Sequence, residues 1–251
     1  MIAVIGGSGF ASIAGATVHQ EHACTSQYGA PSDAVSEVDI EGRRTLFLSR
    51  HGGEKSIAPH RVNYRANLWA LHQLGAKQVI AVNACGGINT QFSAGDLAVP
   101  KQIIDYSCGR ETSFYDGVME PLQHIDFTHP FSESLRQRLL QAAAVSERTV
   151  HDFGVYGCTQ GPRLETAAEI QRLKQDGCDL VGMTAMPEAV LARELGMEYA
   201  SICMIVNPAA GISSDTLSID DIYQLCREMA KDTQDVIVAA ITHDDGSESS
   251  P

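Results

Sequence analysis

The sequence has no paired cysteine motif. Its seven cysteines are odd in number and scattered along the chain, at Cys24, Cys85, Cys108, Cys158, Cys178, Cys203 and Cys226. A disulfide framework or a zinc cluster needs an even set or closely spaced pairs such as C-x-x-C, so neither is predicted. We therefore expect reduced, buried thiols and no metal site.

Basic residues are also scarce. Lysine and arginine number 18 against 31 for aspartate and glutamate, which gives a formal net charge of −13. A surface with this balance repels polyanions, which argues against nucleic acid and anionic membranes as broad partners. Any anionic ligand must therefore be held by a local positive site.

Long apolar runs are missing as well. No run approaches the roughly 18 residues of a membrane-spanning helix, and Met1 leads directly into apolar residues 2–5 without a basic segment. These absences predict a cytoplasmic protein with no membrane partner. The length of 251 residues suits one α/β domain, which we expect at residues 1–243, followed by a polar, acidic and disordered tail at 244–251.

Short apolar runs alternate with segments of helical composition. The predicted strands are residues 2–5, 45–49, 78–83, 97–99, 154–159, 180–183 and 199–206. The predicted helices are residues 63–74, 132–144, 166–175, 187–195 and 219–241. This alternation is typical of the α/β class, with a mixed, largely parallel central sheet flanked by helices. Residues 105–129 lack periodicity, so we expect a long loop that packs on the sheet or reaches a neighbouring subunit.

A glycine-rich turn follows the first predicted strand. Its backbone N–H groups and the Ser8 hydroxyl, in Gly6-Gly7-Ser8-Gly9, can hold an anion such as phosphate where no side chain blocks its approach. The alternative is an ordinary tight turn. As a dinucleotide fingerprint the motif is weak, because Ser12 stands where a third glycine or alanine belongs.

Further polar and glycine residues follow other predicted strands. Arg50 and His51 end the second strand, where Arg50 suits bidentate recognition of phosphate oxygens and His51 can donate a hydrogen bond from either tautomer. His51 can equally be a structural group at a strand end. The segment Asn83-Ala84-Cys85-Gly86-Gly87 offers more backbone N–H groups near the same edge of the sheet. We interpret Cys85 as a small buried residue rather than a nucleophile, because no histidine with a catalytic signature accompanies it.

The segment Gly161-Pro162-Arg163-Leu164-Glu165-Thr166 lies between a predicted strand and a predicted helix. At such a crossing, the carboxylate of Glu165 can accept a hydrogen bond from a donor N–H of a small ligand. The alternative is a helix-capping acid, which the helix dipole favours in a first turn. Thr166 and Glu169 also have the spacing of a capping box.

Three more candidate residues follow the last two predicted strands. Thr184 lies near a helix N-terminus, where its hydroxyl can donate to an anion, and Met183 can pack against a sugar ring. Asn207 offers an amide donor and acceptor to a heterocycle, or forms an ordinary turn before Pro208.

Taken together and in this order, these motifs resemble the trimeric purine nucleoside phosphorylase and methylthioadenosine phosphorylase family. The resemblance covers nearly the whole chain, from the glycine turn at 5–9 through residues 63–67 and Gly182-Met183-Thr184 to Asn207. Within that family it is strongest to the bacterial branch that acts on S-methyl-5′-thioinosine. The resemblance implies a homotrimer that binds a purine nucleoside and inorganic phosphate.

The resemblance also implies a role for each matching residue. The implied phosphate-binding residues are Ser8, Arg50, His51 and Thr184, with the backbone of Asn83 and Ala84. The implied substrate-binding residues are Met183 at the ribose, Glu165, Asn207, Pro208 and Ala209 at the base, Ile219 at the 5′ substituent, and His124, which family members contribute to a neighbouring subunit's site. Asn207 is the implied catalytic residue, donating toward N7 or O6 of the leaving purine.

Three positions indicate the substrate within the family. Glu165 and Asn207 match the enzymes for inosine and guanosine, whereas methylthioadenosine enzymes carry a small hydroxyl residue and an acid there. A carboxylate accepts the N1–H of a 6-oxopurine but repels the N1 acceptor of adenine. At Ile219 an apolar side chain suits a methylthio group and gives a hydroxyl no partner.

These residues predict phosphorolysis of S-methyl-5′-thioinosine to hypoxanthine and 5-methylthioribose 1-phosphate. Phosphate is the second substrate, and neither a metal nor an organic cofactor is expected. The alternatives are a purine nucleoside phosphorylase for inosine and guanosine, a methylthioadenosine phosphorylase, a hydrolytic nucleosidase, and a non-catalytic module that binds purine nucleotides.

Overall fold

A computed structural model describes residues 1–53, 57–115, 117–118, 120–213 and 218–242. The strands are β1 Ile2–Gly6, β2 Thr17–His22, β3 Val35–Ile40, β4 Arg43–Ser49, β5 Gln78–Gly87, β6 Leu97–Ala98, β7 Gln102–Asp105, β8 Val150–His151, β9 Val155–Cys158, β10 Leu180–Gly182 and β11 Glu198–Pro208. The α-helices are α1 Tyr64–Gln73, α2 Glu133–Ala142, α3 Ala167–Gln175, α4 Ala185–Glu194 and α5 Ile219–Thr242. Short 3₁₀ helices lie at Pro59–Arg61 and Ala143–Val145.

All the described strands belong to one mixed sheet. The main path runs β2-β3-β4-β1-β5-β10-β9-β7. Off this path, β11 pairs with both β5 and β6, and β6 also pairs with β8. Six of these pairings are parallel and four are antiparallel. The predicted fold class, an α/β domain with a mixed and largely parallel sheet, is therefore confirmed.

Helices cover both faces of this sheet because residues of the central strands alternate between them. In β5, Val79 and Ala81 point into a core that includes residues of α1 and α4. The intervening Ile80 and Val82 point into a second core with residues of α2 and α5. Side chains of a strand alternate with a period of two, so an uninterrupted apolar run such as 79–82 marks a strand buried on both faces.

Strand β5 changes partner on one side, and this change creates the position of the site. Its first half pairs with β1 as far as Ala81, and its last two residues pair with β10. Residues 82–85 lie between these two pairings, where β1 and β10 separate, while β11 continues along the other side. Ligands of α/β sheets collect where neighbouring strands diverge in this way.

The sequence-based assignment found every α-helix and seven of the strands in the described ranges. It missed β2, β3, β7 and β8. β2 is polar and exposed along most of its length, so no apolar alternation marks it, and β8 has only two residues.

The expected loop at 105–129 has no helix or strand in its described part beyond Asp105. The tail predicted at 244–251 and the domain limit at 243 lie outside the described residues. Within the described ranges, no helix has both the length and the apolar character that a membrane crossing requires.

Candidate active site

A cavity of about 710 Å³ opens where β1 and β10 separate. It lies beyond the ends of β1, β4, β5, β10 and β11, and the first turns of α5 close its far side. Most of the residues predicted for the site line it: Ser8, Arg50, His51, Ala84, Glu165, Met183, Thr184, Asn207, Ala209 and Ile219. Of the other predicted residues, Asn83, Pro208 and His124 are described but are not part of this lining.

The glycine turn after β1 leaves no room for side chains on either side of Ser8. A Cβ atom at Gly7 would lie 2.5 Å from the carbonyl oxygen of Val82, and one at Gly9 would lie 2.8 Å from Cβ of Cys226. Gly9 also has a φ of +78°, which favours glycine. The turn therefore packs closely between β5 and α5, and Ser8 faces the cavity.

Arg50 has a buried carboxylate partner that was not predicted. Only 1% of Arg50 is exposed, and its Nε and Nη2 each donate at 2.8 Å to the carboxylate of Glu188, which is 0% exposed. Nη1 donates at 2.8 Å to the carbonyl oxygen of Val82. The bidentate edge that we assigned to phosphate is thus occupied, because a buried guanidinium requires a partner in the folded protein. Only the remaining N–H groups on Nη1 and Nη2 are left for an anion.

Tyr199 completes this buried group by donating at 2.9 Å to Oε1 of Glu188. Burial, followed by the Glu188 charge, raises the pKa of Tyr199 well above its usual range, so its hydroxyl remains a donor. Burial lowers the pKa of Arg50, but the Glu188 charge outweighs this effect, and the guanidinium stays charged. Glu188 was not among the residues predicted for the site. The sequence does contain a signal for this role, because Glu188 is the single acid in the otherwise apolar run 185–192. An acid in such a run is expected to be buried, and a buried carboxylate needs a partner.

His51 is held as a single neutral tautomer. Its Nδ1 lies 2.7 Å from the carbonyl oxygen of Ile57, which can only accept, so Nδ1 carries the proton. Burial and then the Arg50 charge lower the pKa of His51, which keeps the ring neutral near pH 7. Nε2 is consequently an acceptor rather than the donor we expected. It suits a hydroxyl, either of a protonated phosphate or of a ribose.

Asn83 lies behind Thr184 rather than in the cavity wall. Its Nδ2 donates at 2.7 Å to Oγ1 of Thr184, and its Oδ1 accepts at 2.6 Å from Ser201. Only 1% of Asn83 is exposed, so its side chain orients Thr184 and does not reach a ligand. Thr184 precedes α4 but makes no side-chain cap. Because its oxygen accepts from Asn83, its own proton is free to be donated into the cavity.

Glu165 does not cap α3. The cap is formed by Thr166 and Glu169, whose side chains and backbone N–H groups bond reciprocally. Glu165 lies before this cap and accepts a hydrogen bond of 2.6 Å from Oγ1 of Thr159. The capping interpretation of Glu165 is therefore wrong, and its carboxylate lines the cavity instead. The sequence analysis did not predict Thr159 as a site residue. Its position directly after β9 could have indicated it, because the other site residues also follow strands.

Met183 and Cys85 line the middle of the cavity. A Cβ atom at Gly161 would lie 2.4 Å from Sδ of Met183, so the turn before Glu165 rests directly on this thioether. Burial raises the pKa of Cys85 well above its ordinary value. Its thiol is therefore protonated, as expected for a packing residue rather than a nucleophile.

Asn207 follows an irregularity in β11, where the pairing with β5 shifts by one residue. Its Nδ2 donates at 2.7 Å to the carbonyl oxygen of Pro208, which fixes the amide and leaves the second N–H and the oxygen free. Pro208 therefore contacts Asn207 and does not line the cavity. The backbone N–H of Ala209 donates at 2.8 Å to Gly87 and holds this turn against β5.

The first turns of α5 form the apolar end of the cavity. Ile219, Ile222, Tyr223 and Cys226 line it, and Ile219 is 50% exposed at the rim. His124 is exposed and lies away from the cavity of its own chain. Its predicted role in a neighbouring subunit stays a prediction.

The cavity wall thus combines hydroxyl and N–H donors that suit phosphate, a thioether that suits a sugar ring, and a carboxylate and an amide that suit a purine. The fold and the site thus define a nucleoside phosphorylase. The model of the family described as "Phosphorylase superfamily" matches residues 1–242, and the chain belongs to this family.

Relatives and solved structures agree with this membership. The chain is 49% identical to a probable S-methyl-5′-thioinosine phosphorylase of Pseudomonas syringae pv. tomato, over 90% of this chain and 92% of that protein. It is 41% identical to a 6-oxopurine nucleoside phosphorylase of Pyrococcus furiosus, over 96% of this chain and 91% of that protein. A methylthioadenosine phosphorylase from Schistosoma mansoni, solved with adenine, superposes with a TM-score of 0.89 at 31% identity, covering 96% of this chain and 90% of that one. The predicted family is confirmed.

Proposed function

We propose that this enzyme catalyses the phosphorolysis of S-methyl-5′-thioinosine to hypoxanthine and 5-methylthioribose 1-phosphate. One observation carries the proposal: the cavity combines the carboxylate of Glu165, held by Thr159 rather than by a helix cap, with the apolar side chain of Ile219. The first feature favours a 6-oxopurine base, and the second favours a methylthio group. The relative that is 49% identical has a name with this same combination.

The carboxylate selects the base through its hydrogen-bonding pattern. Thr159 has one hydroxyl proton and gives it to Oε1 of Glu165, so the other carboxylate oxygen remains an acceptor for the ligand. Hypoxanthine presents N1–H to this acceptor, whereas adenine presents a lone pair. A site that leaves a buried polar group unpaired can discriminate against a base by several powers of ten.

At the other end of the cavity, donors hold phosphate below C1′ of the sugar. The free hydroxyl proton of Thr184, the remaining N–H groups of Arg50, Ser8 and the backbone at Ala84 serve as donors, and Nε2 of His51 accepts a phosphate or ribose hydroxyl. Arg50 and Glu188 neutralise each other, so phosphate is bound mainly by dipoles and hydrogen bonds rather than by net charge.

The reaction forms a bond between a phosphate oxygen and C1′ and breaks the bond between C1′ and N9. The electron pair of the broken bond leaves with the purine, which then takes a proton. Asn207 donates its free N–H toward N7 or O6 as this negative charge develops. A preorganised donor of this kind contributes about 3 kcal/mol to the transition state.

A second candidate function is phosphorolysis of inosine and guanosine. The 41% identity to the 6-oxopurine enzyme of Pyrococcus furiosus supports this function. The hydroxyl of Tyr223 also supports it, because Tyr223 lines the cavity together with Ile219 and offers a polar partner to a 5′-hydroxyl group. Both candidates require Glu165 and Asn207, and they differ only at the 5′ position.

We further propose that the enzyme is a cytoplasmic homotrimer that needs no metal or organic cofactor and binds no nucleic acid. The family resemblance supports the trimer, and the net charge of −13 argues against a polyanionic partner. Light scattering coupled to size-exclusion chromatography measures the trimer directly. A monomer would contradict the role in a neighbouring subunit that we predict for His124.

The deciding experiment measures release of free base from S-methyl-5′-thioinosine, S-methyl-5′-thioadenosine, inosine and guanosine, each with and without phosphate. We expect phosphate-dependent cleavage with the highest kcat/KM for S-methyl-5′-thioinosine. A preference for inosine would favour the second candidate. Cleavage without phosphate would indicate a nucleosidase, and binding of purines without cleavage would indicate a non-catalytic module.

A further inference from the structure

Arg110 makes an unusually complete set of hydrogen bonds in the loop after β7. Its Nε donates at 3.2 Å to the side chain of Gln160, and its Nη2 donates at 2.9 Å and 3.1 Å to the carbonyl oxygens of Gln160 and Thr159. Its Nη1 donates at 2.8 Å to the carbonyl oxygen of Met183 and also to that of Met186. An arginine has five N–H groups, so Arg110 has no donor left for a ligand.

The carbonyl groups that Arg110 holds belong to the two segments that carry the purine and ribose side of the site. Thr159 and Gln160 follow β9, and Thr159 is the residue that holds Glu165. Met183 lines the cavity, and Met186 lies in the first turn of α4. One guanidinium therefore bridges these segments just beyond the point where β9 and β10 are paired.

The loop that carries Arg110 is itself fastened to the other end of α4. The backbone N–H of Phe114 and the hydroxyl of Ser113 each donate at 2.7 Å to the carboxylate of Glu194. Phe114 is buried against Tyr28 and Trp69. The loop thus spans α4 from its C-terminal end to its N-terminal end, and Arg110 is anchored against the backbone of Met183, a residue that lines the cavity.

We propose that Arg110 is a positioning residue for phosphorolysis, acting on the base and the ribose through Glu165 and Met183. This inference rests on the proposed function. Within the described ranges no carboxylate forms an ion pair with Arg110, and its guanidinium lies 5.6 Å from the ring centroid of Tyr64. Its charge is therefore balanced by carbonyl dipoles. Its removal takes the guanidinium donors away from all four carbonyl oxygens, of which that of Met186 keeps the thiol of Cys158 at 3.7 Å. Lysine cannot replace it, because three donors on one atom cannot span both segments.

The test is chemical rescue of the Arg110→Ala variant. Residues 108 and 109 are exposed, so added guanidinium ion has a path to the vacated position. We expect the variant to lose about 100-fold in kcat/KM for the nucleoside, since a displacement of about 1 Å can have this effect. The KM for phosphate should change less. Millimolar guanidinium chloride should restore at least a tenth of the lost activity, whereas sodium chloride at the same ionic strength should not.

Arg148→Ala is the matched control. Arg148 also anchors separate segments, pairing with Asp232 and donating at 3.1 Å and 3.3 Å to the carbonyl oxygens of Gly95 and Glu228, but it does not line the cavity. This variant should lose stability with unchanged kinetics and no response to guanidinium.

Calorimetric binding of hypoxanthine gives a readout that does not depend on turnover. We expect Arg110→Ala to bind hypoxanthine at least 10-fold more weakly than the parent, with recovery on addition of guanidinium. Unchanged hypoxanthine affinity, or a kinetic loss equal to that of Arg148→Ala, overturns the role of Arg110. If the parent enzyme binds hypoxanthine but shows no phosphate-dependent turnover, the proposed function is contradicted instead. In that case the comparison of hypoxanthine affinity between the parent and Arg110→Ala still tests the role of Arg110.

Discussion

Removing the carboxylate of Glu188 should destabilise the protein and also weaken phosphate binding, because Glu188 fixes the orientation of the donors on Arg50. Glu188 is 0% exposed and accepts hydrogen bonds from two nitrogens of Arg50 and from the hydroxyl of Tyr199. In Glu188→Ala these donors lose their partner, and Arg50 becomes an unpaired buried charge. Breaking such a pair costs about 3 to 5 kcal/mol. In a chain of this size, that loss lowers the melting temperature by roughly 6 to 20 °C.

A double substitution separates the two effects. Arg50→Met together with Glu188→Leu replaces the ion pair by apolar side chains of similar volume, which is often neutral or stabilising. We expect thermal and urea unfolding to show that the double variant regains most of the stability lost by Glu188→Ala. Its KM for phosphate should remain raised, because the donors on Arg50 are absent.

Glu194→Ala provides the control on the same helix. Glu194 accepts hydrogen bonds from Ser113 and Phe114 and has no contact with Arg50, so its loss should lower stability without raising the KM for phosphate. The reasoning is refuted if Glu188→Ala unfolds like the parent. It is equally refuted if the double variant keeps the parent's KM for phosphate.

Three further predictions concern single side chains. Thr159→Val should lower kcat/KM for 6-oxopurine nucleosides by about 10- to 100-fold, the value of a hydrogen bond to a charged group; an unchanged ratio of 6-oxopurine to 6-aminopurine turnover would contradict this role. Ile219→His should shift preference from a 5′-methylthio toward a 5′-hydroxyl nucleoside, and competition between the two substrates measures the shift; an unaltered ratio would remove Ile219 from the sugar site. The folded state lowers the pKa of His51, so protonation opposes folding, and stability should fall as pH drops below about 6.5 toward the folded pKa. His51→Gln should reduce this slope in urea unfolding, and parallel curves for the two proteins would show that His51 does not titrate in this way.

The sequence predicted the central elements of the fold because buried parallel strands are continuous apolar runs. β5 and β11 are apolar on both faces, and both were found. β2 escaped detection because its side chains face solvent, and a strand stabilised only by pairing with β3 has no apolar signature. Its presence depends on the neighbouring strand rather than on its own residues.

The site residues were predictable where each follows a strand, because strand ends meet at one edge of the sheet. Their partners were not, since a hydrogen bond between residues 138 positions apart, such as that of Arg50 with Glu188, has no local signal. For the same reason the hydrogen bond by which the side chain of Asn83 orients Thr184 was not predicted, since only its backbone was expected at the phosphate site. The tautomer of His51 likewise depends on the carbonyl oxygen of Ile57, which no motif specifies.

The separation of β1 and β10 along residues 82–85 also has a consequence for the motions of the protein. Among the residues that the structure describes, 82–85 pair with β11 on one side and with no strand on the other, so the sheet is locally incomplete there. A nucleoside and phosphate bound there occupy the position that a neighbouring strand holds elsewhere. Substrate binding should therefore slow amide hydrogen exchange in the centre of β5, and a stabilising design that extends β1 alongside residues 82–85 would close the cavity.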